Sequence, residues 1–429
     1  MRSFTSKPVK RIKGTFNPPG DKSISHRAVM ISSLASGTSE FTNFLESEDC
    51  LNTAAAFKEM GVRIEKVKHS WIVGGVGLQG LKKPSKELYV GNSGTTLRLM
   101  LGILAFQNFE ATLNGDASIQ KRPMKRVTIP LRKMGAAISG KEDANFAPLM
   151  VKGNNLTAID HENHPSSAQV KSAILLAGLR AKGKTIVREA IQSRDHTERM
   201  LELVGAPILR TSKEVQVHWA DHLNPLHYQI PGDISSAAFA LVAAIITPDS
   251  ELIIQNVGLN PTRIGILEVL KTMGAHIEWR IDPKYQVEPV GEIRVRSSRL
   301  KAVTIGKDLI PKLIDELPVL MIACALAEGR SVIKDAHELR VKETDRIKSM
   351  VTGLNAIGGR AGEREDGCEI EGVSSFKGGE IDSFGDHRTA MSFIVAGLRS
   401  RDSITVNDTE CINTSYPQFF RDLESISHF

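Results

Sequence analysis

Five times along this 429-residue chain an amphipathic stretch runs into a hydrophobic residue and a glycine, and a β-like segment follows. The instances are FKEMGVRI (57–64), LRKMGAAI (131–138), LELVGAPI (201–208), LKTMGAHI (270–277) and LNAIGGRA (354–361). Their glycines lie 74, 70, 69 and 84 residues apart. FFRDLESI (419–426) reads as a sixth such helix at the end of the chain. A glycine suits the residue just past a helix, where the backbone turns left-handed. Regular spacing of this kind decides the architecture before any local motif does. The chain reads as six copies of one unit, each with two helices and β-like stretches such as SWIVGG and KTIVRE.

A second signal runs in step with the first. Six short polar turns lead into almost wholly apolar helices: GDKSISHR (20–27), GNSGTTLR (91–98), SSAQVK (166–171), GDISSA (232–237), IDELPV (314–319) and GDHRTA (385–390). Each reads as an N-cap feeding a helix. VKSAILLAGL, SAAFALVAAII and PVLMIACALA are apolar all round, which predicts buried helices, with the amphipathic helix of each unit outside them. A helix N-terminus exposes unpaired N–H groups and the positive end of a dipole. Lys22, Arg27, Arg98, Lys171 and Arg388 stand beside these turns. Converging N-termini with such neighbours predict a substrate carrying several negative groups.

Length favours two domains of about 200 residues. The boundary candidates are PPG (18–20) and YQIPGD (228–233), each followed by three units. The expected organisation is α/β, with two similar lobes. Residues 1–20 plus 231–429 form one and residues 21–230 the other, with the site expected in the cleft between them. The longest uncharged apolar run, 237–246, is too short to span a bilayer, and MRSFTSKPVKRIKG has no apolar signal core, so no membrane role and a cytoplasmic location are expected. Cys50, Cys324, Cys368 and Cys411 are scattered, which argues against a zinc or disulfide framework. Net charge is +6 and pI about 9.0, but aromatics are 5% and no dense Lys/Arg run exists. Small anions fit this better than nucleic acid.

Three local patterns are decoys. GLRAKGKT (178–185) matches a phosphate loop but has an apolar helix before it and a strand after it, the reverse of what that loop requires. GVGLQG (75–80) is followed by Lys82, Lys83 and Pro84 instead of a helix. HENH (161–164) reads as a solvent loop, not a metal pair. Other clusters suit chemistry. GDKSISHR sets Lys22, Ser23, His26 and Arg27 at a helix start. GNSGTTLR offers bare backbone at Gly91 and Gly94, and hydroxyls from Ser93, Thr95 and Thr96, to an oxyanion. Arg122 precedes a proline in a rigid extended spot and suits a carboxylate or phosphate. In RVKETDR, Lys342 and Arg346 are expected to share a helical face, with Glu343 beside them. Asp315 and Glu316 open an apolar helix, where a partly desolvated carboxylate suits a base.

Together GDKSISHR, GNSGTTLRL, GDASIQKRPM, SAQVKSA, DELPVL, RVKETDR and GDHRTAM resemble the 5-enolpyruvylshikimate-3-phosphate (EPSP) synthase family, in order and along nearly the whole chain. The resemblance implies two lobes, each of three βαβαββ units with buried helices, an inside-out α/β barrel. It implies transfer of the enolpyruvyl group of phosphoenolpyruvate to the 5-hydroxyl of shikimate 3-phosphate, by addition and elimination, with release of phosphate. That step belongs to the shikimate pathway, toward chorismate and the aromatic amino acids. No metal or organic cofactor, no nucleic-acid partner and a monomer are implied. Lys22, Ser23, Arg27, Ser167, Ala168, Gln169, Arg194, Asp315 and Lys342 would hold shikimate 3-phosphate. Lys22, Gly94, Arg122, Gln169, Arg346 and Arg388 would hold phosphoenolpyruvate, or the inhibitor glyphosate in its place. Asp315 would take the proton of the attacking hydroxyl, Glu343 would move a proton at the methylene carbon, and Lys22 would assist.

The sequence departs from the common pattern at Ala168, at Leu99, and in NTSYPQFF (413–420), which lacks a Lys before its aromatic-Pro pair and leaves the role of Thr414 or Ser415 open. Two other readings compete. The sister UDP-N-acetylglucosamine enolpyruvyl transferases share the fold but use a loop Cys, and 110–124 contains none. A non-catalytic basic scaffold or RNA-binding protein would explain the pI, but not Asp315 and Glu343 among the cations.

Overall fold

Gly61, Gly135, Gly205, Gly274 and Gly358 all have positive φ, from 78° to 107°. They follow the helices Glu48–Glu59, Lys125–Lys133, His196–Leu203, Gly265–Thr272 and Arg346–Ala356. At each end the glycine N–H reaches back three residues and the next N–H reaches back five, as in Gly61 to Lys58 (3.0 Å) and Val62 to Phe57 (3.1 Å). This doubled closure satisfies two carbonyls left over by the helix and turns the chain sharply into the next strand. The repeat read from the glycines is therefore a repeat of one backbone device.

The structure is a computed structural model that describes residues 2–285 and 287–429. It contains two compact units: Met1–Asp21 with Pro231–Phe429, and Lys22–Ile230. Asp21 belongs with the first, since its N–H donates to the Pro231 carbonyl (2.8 Å) and its carboxylate pairs with Arg263 (3.1 Å).

The Lys22–Ile230 unit holds three four-stranded sheets of one design. In the second, Leu88–Tyr89 pairs parallel with Glu110–Asn114, which pairs antiparallel with Phe146–Lys152, which pairs antiparallel with Ala137–Gly140. The parallel pair requires a crossover, and the buried helix Gly94–Leu104 supplies it. Helix Ala168–Gly178 does the same between Asp160–Glu162 and Thr185–Arg188. In the first sheet the opening strand is His227–Gln229, from the far end of the unit, parallel to Ser36–Thr42. The unit thus closes on itself.

The other unit repeats the plan. Arg11–Phe16 supplies the opening strand parallel to Glu251–Gly258, and helix Ile234–Ile246 lies in that repeat. Thr304–Ile305 pairs parallel with Arg330–Ile333, around helix Leu317–Ala325. Gly379–Asp382 pairs parallel with Ile404–Asn407, around helix His387–Gly397, and Phe4–Ser6 adds the antiparallel neighbour. The fold is α/β, with three βαβαββ repeats per unit. All thirteen residues of Ile234–Ile246 are buried, whereas a strand such as Arg63–Val67 buries only Ile64. The apolar helices lie inside and the sheets face out.

Each unit has its own hydrophobic core. A fully buried Leu or Ile contributes about 1.5–3 kcal/mol, so these helices dominate the stability of each unit. Close approach matters as much: a Cβ on Gly102 would fall 2.2 Å from the Ala173 carbonyl oxygen of the neighbouring buried helix. Among the described residues no helix is long and apolar enough to cross a membrane.

Candidate active site

The six turns lie at the N-termini of the six buried helices. Three are capped by their own side chains: Ser93 accepts from Thr96 N (3.0 Å), Asp233 from Ser235 N (2.8 Å) and Asp386 from Arg388 N (2.8 Å). Ser167 and Glu316 occupy the cap position without such a bond.

In the Lys22–Ile230 unit, Lys22 is the first helical residue and pairs with Asp49, at the start of the adjacent outer helix. Arg27 is buried one turn on. Its guanidinium donates to Thr197 Oγ1 (2.6 Å), Ser172 Oγ (2.9 Å) and the Ser23 carbonyl (2.9 Å). Three fixed acceptors hold the fork in one orientation, which a planar cation needs to meet a phosphate squarely. Ser23 is half-buried beside it.

Gly94 opens the next helix. A Cβ there would meet Arg98 Nη1 at 2.7 Å and Arg122 Nη1 at 3.1 Å, so two guanidinium groups crowd this bare backbone. Arg122 has extended backbone, φ −85° and ψ 133°, and donates to Asn92 (2.7 Å). Arg98 donates to Gln169 Oε1 (2.6 Å), and Gln169 donates to Thr95 Oγ1 (2.9 Å). Gln169 is thereby fixed near Gly94 at the start of its own helix. Ser167, Ala168 and Arg194 are half-buried in the adjacent turns.

Three expectations are corrected here. Thr96 is not an oxyanion donor, because its hydroxyl donates to Ser93 Oγ (2.7 Å). Thr96 continues into a buried chain with Thr53 (2.7 Å) and His26, whose ring meets Thr53 at 2.7 Å. His26 is fully buried. Lys171 does not attend the turn as a ligand cation: it is buried against Glu189 (2.8 Å) and Glu198 (2.7 Å). HENH is not a plain solvent loop, because Asn163 is buried and donates to the Ser167 carbonyl (3.0 Å).

In the other unit Arg346 is the centre, 1% exposed. It meets Asp386 at 2.7 Å, Glu343 at 2.6 Å and Asp315 at 3.5 Å. Burial alone would lower its pKa, but the three carboxylates reverse this and hold it above its ordinary value. Arg388 donates to the Asp315 carbonyl (2.8 Å) and its Nε lies 4.0 Å from the Asp315 carboxylate. Asp315 is thus set between two arginines, and Glu343 against one of them. Lys342 meets Glu338 at 3.6 Å.

Lys342 and Arg346 do not share a helical face. Asp345 caps the helix by accepting from Lys348 N (3.0 Å), so the helix begins at Arg346 and Lys342 lies in extended backbone before it. Asp386 is the site residue that sequence reading left as part of a turn. Its partner is 40 positions away, and only the preference of aspartate for N-caps marked it. At the departure near the C-terminus, Thr414 donates to the Cys411 carbonyl (2.7 Å) and Ser415 is buried.

Behind this cluster lies a second one. Arg263 is buried and donates to Asp21 (3.1 Å), Asp233 (3.2 Å) and Ser235 (2.8 Å), and Glu316 lies 4.0 Å away and accepts from the Ser235 hydroxyl. Burial, and next the charge of Asp21, pushes Asp233 up to about 6 against the pull of Arg263.

An architecture of three βαβαββ repeats per unit with basic and acidic side chains at the N-termini of buried helices is the fold of enolpyruvyl transferases. An enolpyruvyl transferase of Streptomyces tendae superposes with TM-score 0.77 over 98% of this chain and 96% of its own, at 15% identity, a likeness of fold. EPSP synthase from Acinetobacter baumannii superposes with TM-score 0.87 at 44% identity, covering 100% of this chain and 98% of that one. The family model for EPSP synthase (3-phosphoshikimate 1-carboxyvinyltransferase) matches residues 6–423. The 3-phosphoshikimate 1-carboxyvinyltransferase of Pelobacter propionicus is 51% identical over 424 residues, 99% of this chain and 98% of its own. That of Bacillus cereus is 49% identical over 428 residues, the whole of both. The chain belongs to the EPSP synthase family.

Proposed function

We propose that the protein transfers the enolpyruvyl group of phosphoenolpyruvate to the 5-hydroxyl of shikimate 3-phosphate and releases phosphate. The observation that carries this reading is Asp315 and Glu343, two carboxylates held against one buried arginine at positions that match the family's motifs.

The chemistry assigns a role to each group. The 5-hydroxyl oxygen attacks the substituted alkene carbon of phosphoenolpyruvate, and Asp315 takes its proton. The methylene carbon receives a proton through Glu343 and becomes a methyl group, giving a tetrahedral intermediate. One proton of that methyl group then leaves to Glu343, the double bond re-forms as the bond to phosphate breaks, and Asp315 releases its proton to solvent. Lys22, Arg122, Arg346 and Arg388, with the backbone at Gly94 and the amide of Gln169, hold phosphoenolpyruvate and the charge on departing phosphate. Lys22, Ser23, Arg27, Ser167, Ala168, Gln169, Arg194 and Lys342 hold shikimate 3-phosphate, with Asp315 at its hydroxyl. The reading takes the enzyme as a cytoplasmic monomer.

The UDP-N-acetylglucosamine alternative needs a reactive thiol. Burial pushes Cys324, Cys368 and Cys411 up to about 12, and Cys50 is buried. Thiols in such surroundings are inert. Steady-state phosphate release tests the reading: it should require phosphoenolpyruvate and shikimate 3-phosphate together, and UDP-N-acetylglucosamine should not replace the acceptor. Release with the nucleotide sugar alone would reject it.

A further inference from the structure

We propose that Glu189 is a positioning residue which, through Asn163, Ser193 and Lys171, sets the two turns carrying Ser167 and Arg194 and thereby tunes affinity for shikimate 3-phosphate. The inference rests on the substrate assignment above and adds Glu189, Asn163 and Ser193, which neither the family motifs nor the mechanism includes.

Every polar atom of the Glu189 carboxylate is used. Oε1 accepts from Asn163 Nδ2 (2.7 Å) and from Ser193 Oγ (2.6 Å). Oε2 accepts from Lys171 Nζ (2.8 Å) and from Ser193 N (3.1 Å). Two chains of contact leave this point. One runs through Asn163, whose amide also donates to the Ser167 carbonyl (3.0 Å), the residue that caps helix Ala168–Gly178. The Lys171 N–H donates to the same carbonyl (3.0 Å). The other runs through Ser193, held at its N–H and hydroxyl by Glu189 and at its carbonyl by Lys171 Nζ (3.4 Å), immediately before Arg194. One carboxylate therefore holds Ser167 through Asn163 and holds directly the residue before Arg194.

Lys171 and Glu198 are 1% exposed and Glu189 is 5% exposed, and the two carboxylates close on the one ammonium, at 2.8 and 2.7 Å. Burying them is expensive, and an apolar trio of similar volume would serve stability as well or better. What an apolar trio lacks is direction. Two carboxylates face one ammonium, and burial raises the pKa of Glu198, with Lys171 opposing. Glu198 meets Lys171 at 2.7 Å, and its carboxylate bonds to neither turn.

This asymmetry gives the test. Glu189→Gln leaves Lys171 and Glu198 as a balanced pair, so the fold should survive. Whichever way the new amide is placed, its NH2 end faces donors, and the Asn163 or Ser193 bond must break. Kd for shikimate 3-phosphate is measured by titration calorimetry with that ligand alone, beside KM for phosphoenolpyruvate, kcat and the thermal midpoint. For Glu189→Gln a rise of about 10-fold or more in Kd is expected, by analogy with the outer-shell residues that orient metal ligands. KM for phosphoenolpyruvate and kcat should stay within about 3-fold. Glu198→Gln should lower the thermal midpoint and leave Kd within about 3-fold. A folded Glu189→Gln with wild-type Kd overturns the proposal, as does an equal loss in both variants, which would mark a merely structural cluster. If Glu189→Gln does not fold, Asn163→Ala decides in its place, with the same selective loss expected and an unchanged Kd overturning it. Wild-type protein that fails to bind shikimate 3-phosphate would overturn the functional reading and this proposal together, an outcome seen without any variant.

Discussion

In the proposed mechanism Asp315 and Glu343 carry opposite halves of one proton problem, and Arg346 and Arg388 hold them in place. Arg346 and Arg388 keep Asp315 in place to take a proton, while Glu343 is held at 2.6 Å from Arg346. Asp315→Asn and Glu343→Gln keep the shape and remove the proton chemistry. Each should lower kcat by about 100- to 10,000-fold, the usual share of a general acid–base group, with little change in affinity. Full turnover with only a raised KM would contradict the assigned role. At Gly94 the space is set by Arg98 and Arg122, 2.7 and 3.1 Å from a new methyl. Gly94→Ala should displace these side-chain ends at about 1–3 kcal/mol, weakening phosphoenolpyruvate moderately. Glyphosate is longer and should suffer more, so the wild type should be inhibited and the variant resistant. Inhibition curves for the two proteins check it, and equal resistance would refute it. Asp233 supplies a pH prediction. Its folded pKa, about 6, lies above the ordinary 3.8, so the folded state holds this proton more tightly than the unfolded state. Stability from this group is therefore full below pH 4 and is lost as pH rises through 6. Asp233→Asn keeps an N-cap and lacks the titration. Its stability relative to wild type should rise between pH 4 and 6 in denaturant melts, and a flat difference would contradict the assignment.

At the scale of elements, the sequence marks positions more reliably than partners. The glycine closures and apolar helices are legible because each is a local rule: a left-handed residue ends a helix, and an all-round apolar helix is buried. The helix over Arg346–Ala356 is legible in kind but not in its start. The capping bond of Asp345 excludes Lys342 from it, and spacing alone cannot see that bond. The hydroxyls of GNSGTTLR illustrate the same limit. The Thr96 hydroxyl looks free for a ligand until the Thr53 side chain, itself bonded to His26, takes it up. Packing yields its own prediction. Gly102→Ala would place a methyl 2.2 Å from the Ala173 carbonyl oxygen, a backbone atom that cannot swing aside. Overpacking of this kind costs about 1–3 kcal/mol, so the denaturant midpoint should fall, and unchanged stability would show that these two helices have room to part.

For the whole molecule, sixfold repetition explains why a single chain can offer six buried helix N-termini. It also explains why most charged side chains of the site sit in turns, where substitution spares the core. The charged motif residues are legible because several short patterns occur in order. Glu189, Glu198, Asn163 and Asp386 are not, because their roles come from contacts between segments that no local pattern links. The most direct test of the central claim offers the purified protein phosphoenolpyruvate with an equal mixture of shikimate 3-phosphate and UDP-N-acetylglucosamine, and identifies the products by mass spectrometry. The account predicts the carboxyvinyl ether of shikimate 3-phosphate with one equivalent of phosphate, and unmodified nucleotide sugar. A modified nucleotide sugar, or two unchanged acceptors, would contradict it.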